Sequence, residues 1–211
     1  MKTLYSFFCL ALLASCDKQK IYVPQADVSL VTEVKDFSSI ALLYVKTNDS
    51  VTVDVKENGI ITQTNWLYEI DKRLPLHLVI PQVQRLQAKK LKKAKEKQMP
   101  SYFTYMDTIA QVVAFMPVTE VEYVLDNKSS LGIENQVVLK VDGNGIFYLN
   151  DKSIQINKLN ELLAEQYPNE VVTLYLKFNK NTTFEHYLQA KLQLAKITLP
   201  NVRLATTEVI Y

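Results

Sequence analysis

The chain contains very little cysteine, histidine and glycine, and each scarcity excludes a class of protein. Its 211 residues include two cysteines, two histidines and four glycines. Both cysteines, Cys9 and Cys16, lie near the N-terminus, so the rest of the chain has no thiol for a disulfide or a zinc site. His77 and His186 are too far apart in sequence for the paired-histidine motif of zinc proteases. Four glycines also argue against a glycine-rich β-solenoid.

The motifs of the common enzyme classes are missing as well. There is no Gly-x-Ser-x-Gly nucleophile elbow, and the Gly-x-Gly pattern at Gly143 and Gly145 suits a hairpin turn better than a phosphate-binding loop. Acidic pairs such as Asp49 and Asp54 have the pattern of solvated strand and turn residues. We therefore expect a protein that is not an enzyme, with no catalytic residues, no cofactor and no metal.

Long apolar runs are also absent, since no stretch approaches the 20 or so residues that a transmembrane helix needs. A shorter apolar run follows Lys2 and ends in Leu13-Ala14-Ser15-Cys16, the pattern of a bacterial lipobox. This pattern predicts a signal peptide over residues 1–15 and lipidation of Cys16. The mature protein is then expected in the bacterial cell envelope, lipid-anchored and facing the periplasm or the cell surface. Nucleic acid is not an expected partner in that compartment.

Positive charge is concentrated in one segment of a nearly balanced chain. The sequence has 24 basic and 22 acidic residues, but residues 85–97 contain seven basic residues and only one acid. The basic residues are Arg85, Lys89, Lys90, Lys92, Lys93, Lys95 and Lys97. A thin apolar line beside them predicts an exposed basic helix. Two interpretations stay open: contact with anionic lipid headgroups or another anionic envelope surface, and a solvated arm without a partner.

The last third of the sequence predicts six elements in the order β-β-α-β-α-β. Residues 136–142 alternate like a strand, and the Gly143-Asn144-Gly145 turn favours a hairpin because Asn and Gly tolerate positive φ. Residues 145–150 form the return strand. Apolar residues at helical spacing predict helices over 159–167 and 184–195. Strands are expected at 171–178 and 202–210.

The first half can be aligned with this unit, which predicts a duplication. An offset of 95 residues places 66–72 on the first helix and 76–80 on the third strand. An offset of 81 then places residues from Phe103 on the second helix. The change of offset makes residues 82–97 an insertion. The expected organisation is a signal peptide (1–15), an anchor and linker (16–37) and two modules (38–127 and 136–211), with a single larger α+β domain as the alternative.

The second unit resembles the periplasmic domain of ExbD/TolR-type biopolymer-transport proteins. The resemblance is carried by Val141-Asp142-Gly143 in the first turn, Asn150-Asp151 after the return strand, the leucine-anchored helix, the strand over 171–176 and the segment 201–206. Val23-Pro24-Gln25-Ala26 also looks like the family's segment that follows its membrane helix. The resemblance implies an α+β fold of two tandem ExbD/TolR-like modules, the first with a basic helical insertion.

One departure limits what the resemblance implies about function. Members of the family have an N-terminal transmembrane helix with an aspartate that takes part in proton passage, and this sequence offers no such span. Without that helix, the resemblance implies that the folded module serves as a docking or dimerising surface. We expect a non-catalytic binding or assembly component, with envelope proteins, an energised transport complex, the cell wall or a second copy as partners. The alternative function is a lipid-anchored scaffold whose basic arm binds an anionic envelope surface.

Overall fold

The computed structural model describes residues 20–93, 99–125 and 137–211, and the α+β class expected from the sequence is confirmed. Two six-stranded mixed sheets and three α-helices make up these residues. The lipobox residue Cys16 and two members of the basic segment, Lys95 and Lys97, lie outside the described residues.

The C-terminal half has the elements that its sequence predicts. Strands β8 (Val137–Val141) and β9 (Phe147–Leu149) form the hairpin, followed by a short extra strand β10 (Lys152–Ile154). The remaining elements are α2 (Leu159–Gln166), β11 (Val172–Phe178), α3 (Phe184–Leu194) and β12 (Val202–Ile210). The turn suits its sequence because the Asp142 carboxylate accepts hydrogen bonds from the N–H groups of Asn144 and Ile146.

In the N-terminal half the predicted alignment is right for the strand Glu122–Leu125, which the offset of 81 places on the strand from Val202, and for the first hairpin. That hairpin consists of β2 (Phe37–Thr47) and β3 (Ser50–Lys56). The expected helix over 66–72 is instead strand β4 (Asn65–Ile70), and the expected strand over 76–80 begins helix α1 (Leu76–Lys93). The expected helix from Phe103 is a second hairpin. Its strands are β5 (Ser101–Asp107) and β6 (Val112–Pro117).

Burial explains the first two corrections, those at β4 and α1. Trp66, Leu67 and Tyr68 are buried in succession, as expected of a strand that is covered on both faces. In α1 the buried residues recur every three or four positions, straight through the predicted insertion. They are Leu76, Val79, Ile80, Val83, Leu86 and Lys90. Residues 82–93 are therefore the continuation of a core helix and not an inserted arm.

The two sheets nevertheless share an arrangement of strands. One has the order β3-β2-β4-β5 and the other β9-β8-β11-β12, with an antiparallel first pair and two parallel pairs in each. In both, a helix connects the last two strands. The halves correspond as β-β-β-α-β units, and α2 has no counterpart among the described residues of the first half.

The segments that lead into α1 and α3 pair with each other as antiparallel partners. Leu76 N–H donates to Thr182 O (3.0 Å), and Phe184 N–H donates to Leu74 O (2.8 Å). The neighbouring residues form a second pair of bonds: His77 N–H donates to Lys180 O, and Glu185 N–H donates to Lys72 O. Each half therefore supplies the same groups to the junction, as a local twofold axis requires.

The buried side chains of both halves form one continuous cluster across this junction. Phe103 of β5 lies edge-on to Phe184 of α3, with ring centroids 5.0 Å apart, and also contacts Tyr187. Strand β7 (Glu122–Leu125), which the sequence places at the end of the first module, pairs in parallel with β12 of the other sheet. The core thus joins the two sheets.

Candidate functional site

The N-terminal strap, defined as residues 20–31, is part of the fold, although the sequence predicted a linker there. Tyr22 O accepts a hydrogen bond from Lys72 N–H (2.7 Å), and Pro24 O accepts one from Met106 N–H (2.9 Å). Strand β1 (Gln25–Ala26) pairs in parallel with the end of β5. These main-chain bonds make the strap an additional strand of the first sheet.

A buried carboxylate fixes the start of the strap. Asp71 is fully buried, and its two oxygens accept from Arg73 Nε (2.8 Å) and Nη2 (2.7 Å) and from Tyr22 N–H (3.4 Å). The Arg73 guanidinium also lies over the rings of Tyr22 and Tyr44, at 4.8 and 4.3 Å from their centroids. A bidentate pair flanked by aromatic rings holds its geometry well, because the planar fork and the ring faces both orient it.

The strap contacts the second half of the chain as well. Gln189 Nε2 donates to Gln25 O (3.2 Å), and Lys196 Nζ lies 3.3 Å from the Asp27 carboxylate. Further along, Ser29 Oγ donates to Asp107 (2.6 Å), and this bond lowers the pKa of Asp107 below its usual value. The strap, which follows the predicted lipid anchor in sequence, therefore contacts the first sheet and the α3 region of the second half.

The described members of the basic segment, Arg85, Lys89, Lys90, Lys92 and Lys93, do not form one exposed surface. Arg85 and Lys89 both pair with Glu57, each at 2.9 Å, which neutralises part of their charge. Lys90 is 1% exposed and therefore unavailable to an outside surface. Lys92 and Lys93 are exposed at the end of α1.

Among the described residues, no carboxylate is hydrogen-bonded to the buried amine of Lys90. Its Nζ donates to Pro100 O (2.9 Å) and Ser101 Oγ (3.3 Å), and it lies 4.9 Å from the centroid of the Trp66 ring. Burial lowers the pKa of Lys90 to about 8. Sequence analysis missed this position because a lysine within a basic run resembles a solvated residue.

Lys90 should make stability depend on pH. Since the unfolded chain holds this proton up to its usual pKa of about 10.5, it binds more protons than the folded chain above about pH 8. The free energy of unfolding should therefore rise with pH, by about 1 kcal/mol per unit at most, between about pH 8 and 10. Above pH 10 the buried tyrosines oppose the rise, because burial raises the pKa of groups such as Tyr123 and Tyr187.

Urea unfolding at pH 7, 8, 9 and 10 measures this effect. Lys90→Met should abolish the rise, and Lys92→Met, which changes an exposed neighbour, should leave it unchanged. An identical pH slope in the parent and in Lys90→Met would contradict the assignment.

A second buried polar group that the sequence did not reveal lies on β12. Glu208 is fully buried and pairs with Lys191 Nζ, while its other oxygen accepts from Tyr187 Oη (2.7 Å). Tyr187 Oη is in turn 3.1 Å from Tyr123 Oη. The network joins α3, β12 and β7. The sequence did not reveal it, because a glutamate in a strand of alternating polar and apolar residues is expected on the exposed face.

The two histidines lie in different surroundings. His77 Nδ1 is 3.1 Å from Lys180 O, whereas His186 lines a cavity of about 430 Å³ beneath the strap. In the described part of the chain, no three histidine, cysteine, aspartate or glutamate side chains come together as a metal site requires. Within the same residues, no helix is both long and apolar enough to cross a membrane.

Comparison with protein-family models and with curated proteins found no match for this chain.

Proposed function

We propose that the protein is a non-catalytic, lipid-anchored component of the bacterial envelope that binds or assembles with other envelope proteins. In this proposal it resembles the periplasmic part of ExbD/TolR-type proteins without their proton-conducting helix. The observation that carries the proposal is the N-terminal strap. The segment next to the lipobox is built into the first sheet and bonded to the second half, so an anchor at Cys16 would hold a folded body and not a free tail.

The length of the tether determines how the body would lie. Cys16 is six residues from Tyr22, so the lipid would hold the Tyr22 end of the body within about 20 Å of the membrane. Helix α1 begins at this end, just after Lys72, and its 18 residues extend about 27 Å. Lys92 and Lys93 therefore lie at the end of α1 that is remote from the anchor, and most of the folded surface remains free for partners.

The alternative proposal is a scaffold whose basic helix binds an anionic surface. Only Lys92 and Lys93 of the described basic residues support it, because Lys90 is buried and Glu57 pairs with Arg85 and Lys89. Each cation near an anionic surface contributes about 1 kcal/mol, so losing two would weaken binding roughly 30-fold. The burial and the ion pairs favour partner binding by the folded body.

Liposome binding by the mature chain without its lipid, residues 17–211, distinguishes the two functions. We expect weak binding to acidic vesicles at low salt that changes less than about twofold in Lys92→Glu/Lys93→Glu, because those charges are few and remote. Lys152→Glu/Lys158→Glu is the matched control, since it reverses two exposed charges of the second half. A large loss confined to the Lys92/Lys93 variant would contradict the proposal and support the scaffold.

A further inference from the structure

A cavity lies where the N-terminal strap meets the second half of the chain. Its volume is about 430 Å³, within the range of small-molecule sites in proteins. The strap supplies Gln25 and Asp27 to its wall, the β9 strand supplies Phe147, and α3 supplies Gln189 and Gln193. Two interactions that hold the strap border this space, the bond from Gln189 Nε2 to Gln25 O and the pair of Asp27 with Lys196.

The wall on the side of α3 is held in a fixed arrangement. Gly145 has a φ of +81°, and a Cβ at this position would lie 2.9 Å from His186 Nδ1, so the turn backbone packs directly on the imidazole. His186 Nδ1 is buried and has no hydrogen-bond partner among the residues that the structure describes. Contact with the glycine backbone therefore orients the ring, and a preformed wall lowers the entropic cost of binding a ligand.

The chemistry of the lining is polar but without an unmatched charge. The carboxylate of the lining, Asp27, is paired with Lys196 at 3.3 Å, so its charge is already matched by a cation of the protein. The amide groups of Gln25 and Gln193 can donate and accept hydrogen bonds, and Gln189, whose Nε2 already donates to Gln25 O, keeps its Oε1 as an acceptor. Apolar surface comes from Phe147, Ile156 and Leu192. A ligand that fits must therefore be uncharged, rich in groups that both donate and accept, and apolar on one side.

We propose that this cavity binds a neutral saccharide of one or two sugar units. Sugar hydroxyls donate and accept at once, which matches the glutamine amides, and the C–H face of a pyranose packs on an aromatic ring such as Phe147. A charged ligand would find no counter-charge, and a purely apolar ligand would leave the amides without partners. The proposal goes beyond anchoring and partner binding and does not depend on either.

Saturation-transfer NMR on the full lipidated chain in detergent micelles tests the proposal. The probes are cellobiose, maltose, lactose and N,N′-diacetylchitobiose, each at about 10 mM, which is sufficient for weak binding. We expect transfer to at least one of these sugars. It should fall at least fivefold in Gln193→Trp, which fills the cavity, and about two- to fivefold in Gln193→Ala. Gln63→Ala, which removes an exposed glutamine elsewhere, should bind as the parent does.

Thermal melting of each variant shows whether it is folded, and Gln193→Ala decides the question if Gln193→Trp does not fold. Absence of transfer to every sugar would overturn the proposal, as would equal transfer to the parent and to folded Gln193 variants. A failure here would leave lipid labelling at Cys16 unaffected, so it would not count against the proposed envelope function.

Discussion

Deleting residues 82–97 and bridging the gap with a short flexible linker is expected to leave a chain that no longer folds. If residues 82–97 were an insertion, as the alignment of the two halves predicted, the deletion would lower the melting temperature by only a few degrees. In the structure the deletion removes the buried side chains of Val83 and Leu86 together with the Gln84 and Gln87 bonds to the 118–123 segment. Each large buried aliphatic residue contributes about 2–5 kcal/mol, against a total stability of about 5–15 kcal/mol.

Circular dichroism during heating tests this expectation, and the deleted chain should show no cooperative transition. Lys92→Ala/Lys93→Ala is the control, because it removes charges from the same helix without touching its buried face, and it should change stability by less than about 0.5 kcal/mol. A cooperative transition near that of the parent would show that α1 is not a core helix.

Glu208→Ala is expected to lower the free energy of unfolding by about 3–5 kcal/mol. The substitution leaves the Lys191 ammonium and the Tyr187 hydroxyl without their carboxylate partner in a site where Glu208 itself is fully buried. Removing one member of a buried pair is costly because the other charge remains unpaired. Replacing both members by apolar residues, as in Glu208→Leu/Lys191→Met, should recover most of the loss.

Urea unfolding at pH 7 measures these differences. Asp54→Ala provides the comparison, because it breaks the exposed pair of Asp54 with Lys56 and should cost no more than about 1 kcal/mol. Equal losses in Glu208→Ala and in the double variant would show that the Glu208 network does not behave as a buried ion pair.

Local sequence patterns were sufficient for the C-terminal half. The Asp142 turn and the helical spacing of Leu159 and Leu163 are short-range signals, and the structure has the hairpin and the helix at those positions. In the N-terminal half the same kinds of local pattern predicted the wrong element at three positions. The expected strand over 76–80 is the start of α1, which continues through Pro81 because packing of its apolar face outweighs the missing N–H bond.

The long-range features could not be predicted from the sequence. The bond between Gln189 and Gln25 O and the pairing of the segments before α1 and α3 join residues more than 100 positions apart. Burial of Lys90, which lies on α1, depends on Trp66 of β4 and Ser101 of β5. The shared strand order became visible only from the pairing of the strands, because it aligns β4 with β11 and not with the helix that the sequence suggested.

Lipid labelling in cells tests the central claim, that the folded body is held at the envelope through Cys16. The full chain and its Cys16→Ser variant are expressed with a clickable fatty acid, and labelled protein is measured in the membrane fraction. Cys9→Ser is the matched control, since Cys9 lies within the predicted signal peptide. The account predicts label and membrane recovery for the parent and for Cys9→Ser, and loss of both for Cys16→Ser. Undiminished label on Cys16→Ser would contradict it.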